Sequence, residues 1–137
     1  MISEHQKAIN FLYHIYWLKS DLMKKKFHET FKTQSNTHFD VDQDIYMRLW
    51  YATLYCVVEG YQKLELYDSK VDELLKSPNL DSLRKFRHSV TGFHKNYYNV
   101  HLISPFLDCS KKTVLWINYL HYSLGKYLRG LARENSL

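Results

Sequence analysis

Between Leu49 and Val58 the chain reads LWYATLYCVV, a run of ten residues with no charge and only single polar atoms on Trp50, Tyr51, Thr53, Tyr55 and Cys56. An α-helix through this run has no wet face to present, and a helix that is apolar nearly all round belongs at the centre of a bundle. The pattern extends as a helix over about 42–66, entered from the polar linker SNTHFDVD at 35–42, whose acids suit a helix start. The rest of the chain must therefore cover this element. It has the means: 12 tyrosines, 7 phenylalanines and 3 tryptophans each bury a large area. At 137 residues the chain reads as one domain, 1–137, with a single core.

The covering elements also read as helices, and only 4 glycines and 2 prolines punctuate them. Ser3 followed by Gln6 is a capping box, and Ile9, Leu12, Ile15 or Tyr16, Leu22, Met23, Phe27 and Phe31 recur at helical spacing. That predicts a first helix over roughly 3–33. Asp68 is placed to cap a short helix that runs to about Lys76 and stops at Ser77-Pro78. A further helix opens near Asn79 or Asp81, with Leu80, Leu83, Phe86, Val90, Phe93 and Tyr97 as its apolar stripe. Residues 99–110, with Pro105, read as a loop. The last helix, about 110–133, sets Val114, Ile117, Leu120, Leu124, Tyr127 or Leu128 and Leu131 on one face. No stretch alternates as a strand. The expected fold is all-α, a bundle of four long helices and one short one.

No apolar run approaches the roughly 20 residues needed to span a bilayer, and the N-terminus leads straight into an amphipathic helix. The expectation is a soluble cytoplasmic protein with no membrane partner. Cys56 and Cys109 lack CxxC spacing and read as two reduced thiols. His5, His14, His28, His38, His101 and His121 have no spacing that suggests a metal, and no glycine-rich phosphate loop is present. Neither a metal site nor a cofactor is expected. The net charge is +5, unevenly spread. Residues 37–75 carry eight acids against three bases, whereas 76–101 carry Lys76, Arg84, Lys85, Arg87 and Lys95 against Asp81 alone.

That basic segment contains RKFRHSVTGFHKNYYN, residues 84–99. With the apolar stripe facing the core, Arg84, Arg87, His88, Thr91, His94 and Lys95 share the flanking face. Arg87 and His94, seven apart, differ by about 20° around the helix and by about 10.5 Å along it. Two long side chains at that spacing can reach one phosphate. An imidazole near its unperturbed pKa of ~6.5 gives or takes a proton at neutral pH. A guanidinium holds the extra negative charge of a pentavalent phosphorane. This is the minimum equipment for RNA cleavage by the 2′-hydroxyl without a metal. The plain alternative is a solvated basic face.

Three stretches, LWYATLYCVVEGYQKLEL, VDELLKSPNLDSLRKFRHSV and TVLWINYLHYSLGKYL, together resemble the HEPN-type helical domains of prokaryotes over about residues 45–130. Their signature is R-x4–6-H, often with Asn, Asp or His directly after the arginine; Arg87-His88 followed by His94 matches its longest form. The resemblance implies a four-to-five-helix bundle, a homodimer in which two Arg/His helices face each other, and Arg87 and His94 as catalytic residues. The position five after the arginine, histidine in the relatives this segment most resembles, is Gly92 here. A mid-helix glycine costs about 1 kcal/mol against alanine, so Gly92 marks a close approach, a bend, or drift of the motif.

Supporting residues follow from position. Glu59 ends the apolar run, and a carboxylate buried there needs a partner; Arg87 is the cheapest on the adjacent helix. His88 lies beside the pair, and Tyr98 is placed to stack on a base, while Tyr97 continues the core stripe. Arg84, Lys85 and Lys95 are the candidate RNA contacts. Two functions of different class are therefore expected. One is a metal-independent endoribonuclease, a toxin or defence effector with an antitoxin as protein partner. The other is a non-catalytic HEPN-like dimer that binds RNA, a nucleotide, a small ligand in a cavity between aromatic-rich helices, or a partner protein.

Overall fold

The computed structural model describes residues 2–33, 41–91 and 111–132. Glu4–Phe11 (α1), a π-helical segment Leu12–Trp17 and Leu18–Thr33 (α2) follow one another without a break. Val41–Lys63 (α3), Ser69–Leu74 (α4), Asn79–Thr91 (α5) and Lys111–Ala132 (α6) complete the described elements. The fold is all-α, with no strand among the described residues. Within them, no helix is long and apolar enough to cross a membrane.

Helix α3 occupies the centre, as its sequence requires, and Trp50, Leu54, Val57 and Val58 are each at most 1% exposed. Its burial is not complete all round. Leu49 is 40% exposed, and Thr53 and Cys56 are half-buried. Val41, Ile45 and Leu49, at intervals of four, mark a stripe of α3 that no described element covers fully. The apolar run therefore has one damp edge, which the sequence alone does not reveal. From α5, Leu83 and Phe86 close the core as the stripe predicts, and from α6 so do Ile117, Leu120, Leu124 and Leu128.

The first helix departs from the expected pattern. In the π segment the Leu18 N–H bonds back five residues to the Tyr13 carbonyl, and this wider turn advances the buried face. Ile9, Tyr13, Trp17, Ser20 and Thr30 are buried, whereas Ile15, Leu22 and Phe31 are 41%, 50% and 55% exposed. The sequence reading places those three in the core, yet at about 100° per residue Ile15 and Leu22 lie roughly 100–120° from the face of Ile9, Leu12 and Phe27, and only Phe31 falls near it.

The wide turn brings large side chains against α3 and α6, and glycines receive them. The Leu12 side chain occupies the place a Cβ would take on Gly60, and the Trp17 indole does the same at Gly125. Element ends are tied by side chains. Asp68 caps α4 by accepting from the Val71 N–H at 3.0 Å. Trp116 Nε1 donates to the Leu74 carbonyl at 2.9 Å, fixing the other end of α4 to α6. Ser3 accepts from the Gln6 N–H at 3.0 Å, the expected half of a capping box. The Gln6 amide, however, turns away to donate to Asn10 Oδ1 and the Leu131 carbonyl, so it closes the end of α6 instead.

Inside the bundle lies one polar network. His121, 2% exposed on α6, accepts at Nδ1 from Trp50 Nε1 (3.2 Å), and its Nε2 faces Asp21 Oδ1 at 3.0 Å. An indole N–H only donates, so Nδ1 must be the acceptor and the proton sits on Nε2, directed at the carboxylate. Trp17 Nε1 donates to the His121 carbonyl at 3.0 Å, and Lys25 pairs with Asp21 at 2.9 Å. The imidazole is therefore neutral. Burial lowers its pKa from 6.5 to about 4, against the opposing pull of Asp21.

Two predictions follow from this packing. Because the folded pKa of His121 lies below its ordinary value, the unfolded chain takes up the proton first as pH falls. Stability is full above about 6.5 and declines towards 4, by roughly 2–3 kcal/mol between pH 7 and pH 4.5. Urea titrations at the two values should show the lower midpoint in acid, and His121→Gln should flatten that dependence. Gly125→Ala should lower stability by about 1–3 kcal/mol, since the Trp17 ring is rigid and hydrogen-bonded and cannot step aside. A thermal melt no lower than that of the parent chain would show that the helices re-space freely.

Candidate functional site on helices α3 and α5

Helix α5 lays its polar flank beside α3 because Leu83 and Phe86 fasten it there, with Phe86 edge-on to Tyr51 at 5.6 Å between ring centroids. That register fixes Arg87, one residue beyond Phe86. Its guanidinium meets Glu59 of α3 fork to fork: Nη1 to Oε1 at 3.3 Å and Nη2 to Oε2 at 3.4 Å. The pair anticipated from the sequence is thus formed directly. Both side chains are partly covered, at 22% and 31% exposure. The guanidinium carbon also stands 5.1 Å from the centre of the Tyr55 ring.

Tyr55, Cys56 and Glu59 occupy neighbouring positions on α3 at i, i+1 and i+4, and together they form the bed on which Arg87 lies. Burial raises the Tyr55 hydroxyl above its ordinary pKa, and the nearby Glu59 carboxylate adds to the effect. Burial likewise raises the thiol of Cys56, a free cysteine, although the adjacent Arg87 works in the opposite direction. A thiol in that state is a packing group rather than a nucleophile. Neither Tyr55 nor Cys56 was singled out by the sequence, yet their spacing from Glu59 was the available signal.

The other expected cations are placed differently. Arg84 Nη2 pairs with Asp81 Oδ1 at 2.6 Å and Lys85 Nζ with Asp81 Oδ2 at 3.0 Å, all on the exposed flank of α5. These two bases, with their hydrogen bonds, hold the Asp81 carboxyl below its usual range. Exposed pairs of this kind are worth about 0–1 kcal/mol and are readily exchanged for a competing anion. His88 is exposed on the same helix. His94, Lys95 and Tyr98 lie outside the described residues, so the structure brings together Arg87 and Glu59 with Arg84, Lys85 and His88 nearby on α5. Among the described residues, no group of three or more His, Cys, Asp and Glu side chains is arranged to hold a metal ion.

Chemically, the Glu59 fork gives Arg87 a fixed direction without removing its charge. The fork fixes the orientation of the guanidinium on α5. Glu59→Gln should therefore lower stability by about 1–2 kcal/mol, less than a fully buried pair because water still reaches both partners. A double-mutant cycle with Arg87→Met should return a coupling energy of that order. Independent, additive effects would show that the fork contributes nothing.

Compared with models of known families, with curated proteins and with solved structures, the chain matches none of them.

Proposed function

We propose that the chain is a HEPN-like endoribonuclease that cleaves RNA without a metal, with Arg87 and His94 as its catalytic residues. The observation that carries this reading is the Glu59–Arg87 fork, which holds the arginine of the R-x6-H motif at a fixed orientation on α5. In the reaction His94 removes the proton of the 2′-hydroxyl, the freed oxygen attacks the adjacent phosphorus, and the 5′-oxygen departs with a proton. The products are a 2′,3′-cyclic phosphate and a 5′-hydroxyl. Arg87 stabilises the added charge on the phosphorane, and Glu59 is a positioning residue that acts through Arg87. The family resemblance adds a homodimer in which two such motifs face each other and supply a base, an acid and two cations.

A second reading rests on the ion pairs. Arg84, Lys85 and Arg87 are each matched to a carboxylate, which suits a face that is closed until a partner displaces those contacts. In that case the chain is a non-catalytic HEPN-like dimer that binds RNA, a nucleotide or a protein.

Cleavage separates the two. A mixed RNA pool should be cut in EDTA to fragments ending in 2′,3′-cyclic phosphate, while DNA, lacking the 2′-hydroxyl, survives. His94→Ala should reduce the rate by about 10²–10⁴-fold, Arg87→Ala by a similar factor, and His88→Ala by much less. If parent and His94→Ala leave the pool equally intact, the catalytic assignment fails and the binding reading replaces it.

A further inference from the structure

Between residues 111 and 132, helix α6 carries Lys111, Lys112, Lys126 and Arg129 and not one Asp or Glu. Its inner face is fully engaged in the core through Ile117, Leu120, Leu124 and Leu128. Its outer face is unusual in composition. Tyr119 and Tyr122 stand on it 57% and 65% exposed, and Lys112, Lys126 and Arg129 are exposed there too. At about 100° per residue these five positions fall within an arc of roughly 100°, strung along about 25 Å of axis. Lys112 lies at one end of the row, the two tyrosines in the middle, and Lys126 and Arg129 at the other end. Among the described residues neither Lys112 nor Lys126 forms an ion pair, in contrast to Arg84, Lys85 and Arg87 on α5. Arg129 is steered by its own neighbours: Nε donates to the Tyr13 hydroxyl at 2.9 Å, and the guanidinium carbon lies 5.6 Å from the Trp17 ring centre.

From this arrangement we infer that the outer face of α6 binds single-stranded nucleic acid, with bases stacked on Tyr119 and Tyr122 and phosphates held by Lys112, Lys126 and Arg129. The charge selects a polyanion, since α6 has no acid of its own and Asp21 of α2, which acts on Arg129, is already paired with Lys25 and His121. The exposed phenols select a strand whose bases are accessible, because stacking on an aromatic ring needs an unpaired base. The site lies on a different helix from Arg87, and it stands whether or not the chain cleaves RNA.

The test uses fluorescence anisotropy with a labelled 12-nucleotide oligo(U), the matching oligo(dT), and a duplex of equal length. The expected result is binding of both single strands, weaker for the duplex, and falling with salt. Tyr119→Ala/Tyr122→Ala should weaken oligo(U) binding about 10-fold or more with little change in salt slope, while Tyr119→Phe/Tyr122→Phe retains it. Lys112→Ala/Lys126→Ala should lower the slope of log K against log salt by about 1.4, roughly 0.7 for each lost phosphate contact. Lys70→Ala, an exposed lysine of α4 outside both faces, should bind as the parent does, and oligo(dT), which has no 2′-hydroxyl to cleave, keeps this outcome apart from any failure of cleavage. The four substituted positions on α6 are exposed, and matching circular-dichroism melts would confirm that the folds are intact. No binding by the parent, equal binding by the alanine variants, or preference for the duplex would each overturn the assignment. Binding only to vesicles containing anionic lipid would overturn it as well and identify a membrane surface as the polyanion.

Discussion

A neutral imidazole at the middle of the bundle sets the terms for everything around it. His121 joins three helices at one point: Asp21 on α2 accepts a hydrogen bond from its Nε2–H, Trp50 on α3 donates to it, and its own backbone on α6 accepts from Trp17. Each partner has a single chemically allowed role, because an indole cannot accept and a carboxylate cannot donate. The tautomer, the ring orientation and the relative heights of the three helices are thus mutually fixed. An apolar residue in place of His121 could fill the volume but would leave a buried indole N–H without a partner and Asp21 with Lys25 alone. Apolar packing alone tolerates sliding by a turn; this network does not.

The π segment is the geometric consequence. For Trp17 to reach the α6 backbone while Asp21, one turn later, faces His121, the helix must present both residues on the side turned towards α6. Tyr13 lies on that side as well, with its ring stacked on Trp17 at 5.6 Å between centroids and its hydroxyl bound by Arg129 of α6. Spacings of four from Ile9 to Tyr13 to Trp17 exceed the 3.6-residue period, and the widened turn absorbs the difference. Gly125 completes the fit by allowing the indole to rest on bare backbone. Network, wide turn and glycine are therefore one device seen from three positions in the chain.

What the sequence discloses and what it hides divides along the same line. Local signals carried through: the apolar circumference of α3, the Asp68 cap, the stop at Ser77-Pro78 and the Leu83–Phe86 stripe each depend on residues within a turn or two of one another. The Glu59–Arg87 fork was also legible, because an acid closing an apolar run and a base on the next long helix leave few alternatives. The His121 network was not, since its partners are 71 and 100 residues away and a histidine in YLHYSL looks the same whether wet or dry. The buried face of the first helix was misread for another reason. Ile15 and Leu22 enter the expected stripe by residue type, although at about 100° per residue they lie off the face of Ile9, Leu12 and Phe27. Of the proposed catalytic pair, Arg87 has a structural setting, whereas His94 is known by its spacing alone.

Charge separates the two faces discussed here more clearly than sequence position does. On α5 every cation of the described motif region has a carboxylate opposite it: Asp81 for Arg84 and Lys85, Glu59 for Arg87. A phosphate arriving there must displace an existing contact, easily at the exposed Asp81 and less easily at Glu59, where both partners are partly screened from water. Such a face discriminates, because only an anion that makes better contacts than the resident carboxylate remains. Helix α6 carries no acid of its own, and Asp21 of α2, which acts on Arg129, is already paired with Lys25 and His121. On the proposed reading the α6 face would raise the local concentration of strand with little selectivity, and Arg87 would take a phosphate only in competition with Glu59. A chain possessing only the α6 face would be a binder, and one possessing only the α5 face would meet its substrate rarely.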